Sequence, residues 1–562
     1  MEDIILAIKE RLRTIYPKQV EQVYPEILSL IERWKSRIHV SHRPIDQHDV
    51  CLITYGDSIR KTDEMPLSTL NRFYKTFLSD TISIIHILPF YPYTSDDGFS
   101  VVDFRTIDPK LGDWHDIDEL KKHVDLMFDA VINHVSKDSL YFIKYLNQEN
   151  GYETFFTEID PKVDLSSVTR PRTSPVLTPF MTKNGVKHVW TTFSDDQVDL
   201  NYQDPRVLIE VLDVLLFYVF KGARMIRFDA VGFIWKKLNT TCMHLEETHA
   251  LVKLMREVLD SVVDGVKIIT ETNVKHDENI SYFGNGHDEA SLVYQFPLPP
   301  LVVQAYISEK TTYLMHWLNH LEKTSKDTLF FNFLSSHDGI GLRPLEGIIP
   351  DHDKTIMLDT LLSRGAKINY RNLSNGQKTP YECCITFTDA LSNLEDSDPI
   401  RAMRLLGAHM ILLSLQGLPA IYIHSMLGSR NDLLGYQQSL INRRINREKL
   451  NFDHVIQELT HPHHLRYMVF EGLKKMIDIR KQEPLFHPHI EQQPYPVSDH
   501  VFGLLRGDNH SHIITLVNVS KKTIQIPLPG TYMNLLTQQV CHDFIDLEPF
   551  AYGWFKLHKT GM

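Results

Sequence analysis

Cysteine is scarce in this chain: Cys51, Cys242, Cys383, Cys384 and Cys541 are five in 562 residues, an odd number with no Cys-x-x-Cys pair. That excludes a disulfide framework and a cysteine-type zinc site, and it suits a reducing compartment. Long apolar runs are missing too, since no segment approaches the roughly 18 uncharged apolar residues that a membrane span requires. The N-terminus opens on Glu2 and Asp3 rather than on a basic segment followed by an apolar core, so no secretory leader is read and a cytoplasmic location is expected. Positive charge is in deficit, with 59 Lys and Arg against 71 Asp and Glu and a formal net charge of −12. Such a surface would repel nucleic acid and anionic membrane, and any anionic ligand must instead meet local arginines or lysines. Repeats and low-complexity tracts are absent, and His461, His463 and His464 read as a solvated loop rather than a metal site. No ligand cluster demands a metal, so no cofactor is expected.

What is present is ordinary globular material, 43% hydrophobic and 23% charged, enough for one large domain and smaller additions. From Pro25, the residues Ile27, Leu30, Ile31, Trp34 and Ile38 recur at helical spacing and predict an amphipathic helix in an N-terminal extension over 1–49. Eight short apolar runs rich in β-branched and aromatic residues follow, at 50–55, 82–88, 126–132, 225–228, 267–269, 292–296, 329–334 and 419–423. Between the fourth and fifth, Leu251, Met255, Val258, Leu259 and Val262 lie on one helical face, which makes a strand-helix-strand unit. Eight such units favour an α/β closed (β/α)8 TIM barrel over an open sheet. The barrel is expected in three parts, 50–134, 206–338 and 406–485. Two intervals too long for one helix, 135–205 after the third strand and 339–405 after the seventh, read as inserted loop subdomains. Beyond 486 the alternation at 512–517, 523–528 and 554–557 predicts a small C-terminal all-β domain over 486–562.

Polar residues end several of these runs abruptly: Asn133-His134, Arg227-Phe-Asp229, Glu271 and Ser336-His337-Asp338. One such tripeptide is common in loops and caps. Three carboxylates around one rim are different, because each costs several kcal/mol if buried unpaired, and this rim is where barrel enzymes gather catalytic groups. Asp229 and Glu271 end consecutive strands, which lie about 4.8 Å apart. Their carboxyls should therefore approach to roughly 5 Å, the spacing of retaining glycosyl transfer, with one attacking the anomeric carbon and the other protonating the leaving oxygen. Arg227 is expected to keep Asp229 ionised, while Glu271 needs a less polar setting to hold its proton. His134, His337 and Asp338 would fix sugar hydroxyls and support the developing oxocarbenium ion.

The same four segments resemble the four ordered regions of the α-amylase clan over most of the chain. By that resemblance Asp229 is the nucleophile, Glu271 the acid/base and Asp338 the transition-state stabiliser, with Arg227, His134 and His337 as sugar-site companions. Leu-Ile-Thr-Tyr-Gly-Asp57, His-Ile-Leu-Pro-Phe-Tyr-Pro92, Ser-Asp96-Asp-Gly-Phe-Ser, Arg170-Pro-Arg172, Leu298-Pro-Pro-Leu and His337-Asp-Gly-Ile-Gly341 are similar to the sucrose-phosphorylase subfamily. That implies Asp96 at the far hydroxyls of a glucosyl ring, Phe193 and Gln197 lining its pocket, Arg447 clasping it, and Arg170 and Arg172 on the acceptor and phosphate side. The N-terminal extension, the stretch 169–180 and Gly428-Ser-Arg-Asn-Asp432 look most like the branch acting on glucosylglycerate. Phe233 stands where the sucrose-acting relatives carry tyrosine, which removes a hydroxyl beside the acceptor. The resemblance implies reversible phosphorolysis of 2-O-α-D-glucosyl-D-glycerate to α-D-glucose 1-phosphate and D-glycerate, with inorganic phosphate as co-substrate and small molecules as the only partners. Residue chemistry alone does not separate phosphate from water as second nucleophile. Sucrose or sucrose 6-phosphate phosphorolysis, an α-glucosidase or transglucosidase, and a non-catalytic binding member of the clan stay open, as does the oligomeric state.

Overall fold

The computed structural model describes residues 2–372 and 377–558. Eight parallel strands close into a barrel: β1 Cys51–Thr54, β2 Ile84–Ile87, β3 Asp125–Ala130, β4 Ala223–Phe228, β5 Lys267–Thr270, β6 Leu292–Tyr294, β7 Leu329–Phe333 and β8 Leu418–Tyr422. Each pairs with its neighbours in chain order, and β1 closes the ring on β8 in the register Leu52↔Ile421. The expected runs and these strands coincide, because a parallel strand covered on both faces needs apolar residues at every position. Helices fill the intervals by ordinary signals. Pro205–Lys221, for instance, starts at Pro205 with Asp204 accepting from the Arg206 N–H, and stops at Gly222, whose φ of 115° ends the helix in the left-handed region.

The insert after β3 contains the helix Leu140–Leu146, the antiparallel hairpin Leu177–Thr182 with Gly185–Trp190, and the pair His134–Ser136 with Gln197–Asp199. The insert after β7 holds a three-stranded sheet, in which Lys378–Cys384 pairs with both Ile340–Gly341 and Lys367–Asn372. It ends earlier than the expected 405, because Ser397-Asp398-Pro399 opens the long buried helix Asp398–Ser414 that leads into β8. A six-stranded antiparallel sheet closes the chain. Three of its strands were not foreseen: the short Gln492–Pro494, Val501–Gly507, and Val540–Leu547, whose mostly exposed residues carry little alternation.

The N-terminal extension departs from expectation. It forms two helices, α1 Glu2–Ile15 and α2 Val20–Lys35, and Pro25 lies inside α2 rather than at its start. The helix tolerates the lost hydrogen bond because Val20, Val23, Ile27, Leu30, Ile31 and Trp34 bury one face. Ile38 lies beyond its end. Trp34 Nε1 donates to Asp213 Oδ1 at 2.8 Å, and Arg11 Nε to Glu257 Oε1 at 3.0 Å, which ties the extension to two barrel helices. Among the described residues no helix is long and apolar enough to cross a membrane.

Candidate active site

The strand ends are pinned to one another by the barrel ladder. The Asp229 N–H donates to the Ala130 carbonyl at the end of β3, and the Glu271 N–H to the Phe228 carbonyl at the end of β4, both at 3.1 Å. Three consecutive strand ends thus share one rigid edge, and both carboxyls open into one cavity of about 510 Å³ at the C-terminal rim. Asp96, His134, Arg172, Phe193, Gln197 and His337 line it with Asp229, Glu271 and Asp338.

Arg227 lies beneath the cavity floor, 2% exposed. Its Nη1 donates to Asp229 Oδ1 at 2.7 Å and also binds Asp129, which in turn receives His86 Nε2 at 2.7 Å. This sharing alters the expected electrostatics. Burial, with Asp129 and Asp338 nearby, lifts the Asp229 carboxyl above the ordinary aspartate range despite Arg227. Glu271 is pushed up to about 7, by burial first and then by Asp229 and Asp338. Its Oε2 accepts from the Ala230 N–H at 3.2 Å, with Ala230 held at φ 50°, in the left-handed region. Asp338 moves the other way: burial would raise it, but Arg443, Arg447, Arg227 and Arg172 outweigh that and hold it ionised.

The sugar-site companions are fixed by neighbours. The Phe99 carbonyl accepts from His134 Nε2 at 2.9 Å and from Gln197 Nε2 at 3.0 Å, when His134 is assigned the Nε2–H tautomer. His337 stacks on Phe99 at 4.8 Å and 4°. Burial, and then Arg447 and Arg227, drive its pKa well down, so it stands neutral. Phe193 packs between His134 and Phe233, at 5.2 and 5.6 Å.

Arg447 is placed differently from the expectation. It is buried, donates from Nε to the His337 carbonyl at 2.7 Å and from Nη1 to Asp97 at 2.7 Å, and braces the wall without lining the cavity. Arg443 lines it instead, with Nη1 at 2.6 Å from Asp338, Nη2 at 3.0 Å from Glu382 and Nη1 at 3.9 Å from Asp96. Both arginines occupy the turn Asn442–Asn446 and its end, so the sequence showed an arginine-rich loop but not which side chain faces inward. Tyr381 and Glu382, from the sheet of the second insert, also face the cavity and had no local signal, since an insert strand folding back leaves none. Arg170 does not share the inner cavity with Arg172. It lies on an adjoining outer chamber, and its Nη2 donates to the Ser174 carbonyl. Among the described residues, no group of three or more His, Cys, Asp or Glu is arranged to hold a metal ion.

Comparison with known proteins gives matches of three kinds. Residues 80–343 match the family described as "Alpha amylase, catalytic domain". The chain is 45% identical over 515 residues to the glucosylglycerate phosphorylase of Escherichia coli (strain K12), covering 91% of this chain and 92% of that protein. It is 44% identical over 552 residues to that of Allomeiothermus silvanus, covering 98% of both. In fold it is similar to the crystal structure of sucrose 6F-phosphate phosphorylase from Thermoanaerobacter thermosaccharolyticum, with a TM-score of 0.74, 23% identity, and coverage of 88% of this chain and 97% of that one.

Proposed function

We propose, since the chain belongs to the glucosylglycerate phosphorylase family of the α-amylase clan, that it catalyses reversible phosphorolysis of 2-O-α-D-glucosyl-D-glycerate to α-D-glucose 1-phosphate and D-glycerate. The observation that carries this reading is the 45% and 44% identity, over nine tenths or more of each length, to two proteins named for that reaction.

The site geometry supports a double displacement. Ionised Asp229 attacks the anomeric carbon while Glu271, holding its proton near neutrality, gives it to the departing C2 oxygen of glycerate. A glucosyl ester on Asp229 results. Phosphate then enters, the now ionised Glu271 takes its proton, and a phosphate oxygen attacks the same carbon as the Asp229 carboxylate leaves. Two inversions retain the α configuration. Asp338, held ionised by its arginines, faces the ring carbon as positive charge develops, and His134, Gln197, His337, Asp96 and Arg443 hold sugar hydroxyls. Arg172, whose guanidinium lies 5.9 Å from the ring centres of Phe193 and Tyr381, supplies local positive charge for phosphate in a chain of net charge −12. Inorganic phosphate is the co-substrate, and these steps need no further group. Five free cysteines, four of them buried, support the cytoplasm as its location.

The test is phosphate release from α-glucose 1-phosphate with D-glycerate, fructose, fructose 6-phosphate, glycerol or water supplied separately. Release with D-glycerate well above the others is expected. Release with fructose or fructose 6-phosphate instead would move the substrate to sucrose or its phosphate, and no release would overturn the phosphorylase reading.

A further inference from the structure

The outer chamber, about 520 Å³, adjoins the catalytic cavity through Glu271, Asn273, Ala230, Phe193 and Tyr381, which line both. Asp229 and Asp338 do not face it. Glu271 therefore stands between the glucosyl site and this chamber, and an acceptor larger than phosphate extends into the chamber while its reacting oxygen meets Glu271. Its lining includes the apolar Phe233 and Met243 and three arginines, Arg170, Arg343 and Arg371, of which Arg170 is turned to the Ser174 carbonyl.

The other two arginines come from separate elements of the second insert, Arg343 from the 3-10 turn Arg343–Leu345 and Arg371 from the strand Lys367–Asn372. Each is steadied at one corner: Arg343 Nη2 by Glu278 Oε2 at 3.1 Å, and Arg371 Nη2 by Glu346 Oε1 at 3.2 Å. Neither glutamate lines the chamber. Arg343 Nε is buried with no hydrogen-bond partner among the described residues, and so is Asn273 Oδ1 on the shared wall. A buried donor left unpaired costs roughly 1–3 kcal/mol, which a bound acceptor oxygen would recover. Two guanidiniums held in fixed orientation match the planar carboxylate fork, and an apolar remainder suits a short carbon skeleton.

We propose that Arg343 and Arg371 hold the carboxylate of the acceptor in this outer chamber and so select an α-hydroxy acid over uncharged polyols. The assignment rests on the phosphorylase reading above and adds to it the residues that recognise the acid. Phosphate, whose other charged oxygens are borne on the same phosphorus as the attacking oxygen, is left to Arg172 in the inner cavity.

The experiment compares wild type, Arg343→Ala and Arg371→Ala with α-glucose 1-phosphate as donor and D-glycerate or glycerol as acceptor. Alongside runs α-glucosyl fluoride hydrolysis, which reports the glucosyl site and the fold. Each variant should raise KM for D-glycerate at least about tenfold, the loss of one charged hydrogen bond, while glycerol transfer and fluoride hydrolysis stay near wild type. KM for phosphate in the reverse reaction should move far less. Equal losses for glycerate and glycerol, or for glycerate and phosphate, with fluoride hydrolysis intact, would overturn the assignment. Should alanine unfold the protein, Arg343→Gln and Arg371→Gln put the same question. A wild type that ignores D-glycerate would instead overturn the underlying reading, and the two failures are therefore distinct.

Discussion

Asp229 and Glu271 end neighbouring strands, yet their surroundings separate their tasks. Asp229 has Arg227 at 2.7 Å, whereas Glu271 lies 4.0 Å from the same guanidinium and accepts only a backbone N–H. Burial, with the cation this much further off, lets Glu271 keep its proton up to about 7. The sign of the pH dependence follows. Below that value Glu271 is protonated and can serve as acid, and above it the acid form is lost, so kcat/KM for glucosylglycerate should fall about tenfold per pH unit above about 7. α-Glucosyl fluoride needs no proton on its leaving group and should show no such fall, and Glu271→Gln should slow glucosylglycerate far more than the fluoride while abolishing the difference between their alkaline profiles. Identical alkaline profiles for both would remove Glu271 from the role of acid. Asp229→Asn keeps the shape and removes the charge, and should leave less than about 1% of transfer with an unchanged circular dichroism spectrum. More residual activity than that would require another nucleophile.

At the scale of single elements, the turn after β2 is the most constrained part of the site. Asp96 and Asp97 have φ of 52° and 48°, and Gly98 follows at 109°. Aspartate tolerates the left-handed region better than most residues, but Gly98 has no substitute. A Cβ there would stand 2.6 Å from the Pro89 carbonyl oxygen. The turn aims Asp96 into the cavity and Asp97 at Arg447. Gly98→Ala should cost about 1–3 kcal/mol from backbone strain and reduce kcat/KM for glucosyl donors. A variant with the wild-type urea midpoint would show that this turn relaxes freely. The motif was visible in the sequence. The contact that ties it to Arg447 was not, because Arg447 lies 350 residues further along the chain.

One seam between the terminal sheet and the barrel bears on the whole molecule. Trp554 is fully buried, donates from Nε1 to Ser414 Oγ at 2.7 Å and packs on Phe486 at 4.8 Å. Thr515 Oγ1 donates to the same Ser414 hydroxyl at 2.9 Å, and Arg506 Nη1 to the Ser414 carbonyl at 2.7 Å. Ser414 ends the helix that leads into β8, so this seam braces the barrel from the side remote from the cavity. Trp554→Ala should destabilise the protein by about 3–5 kcal/mol while leaving KM for phosphate and glycerate unchanged in the folded fraction. Guanidinium unfolding read beside kinetics checks both halves, and an altered KM would mean that the seam reaches the site.

What the sequence by itself determined is what repeats or acts locally. Eight apolar runs dictated eight barrel strands, since strands covered on both faces must be apolar throughout. Polar residues at the exits of those strands marked Asp229, Glu271 and Asp338, because barrel geometry sends every strand end to one rim. Tertiary structure alone decided what depends on distant segments meeting. It chose Arg443 over Arg447 as the arginine facing the cavity, brought Tyr381 and Glu382 in from an insert, parted Arg170 from Arg172, and shared Arg227 between Asp129 and Asp229. Direction of a side chain and division of a charge are properties of packing in three dimensions, and neither leaves a period in the chain.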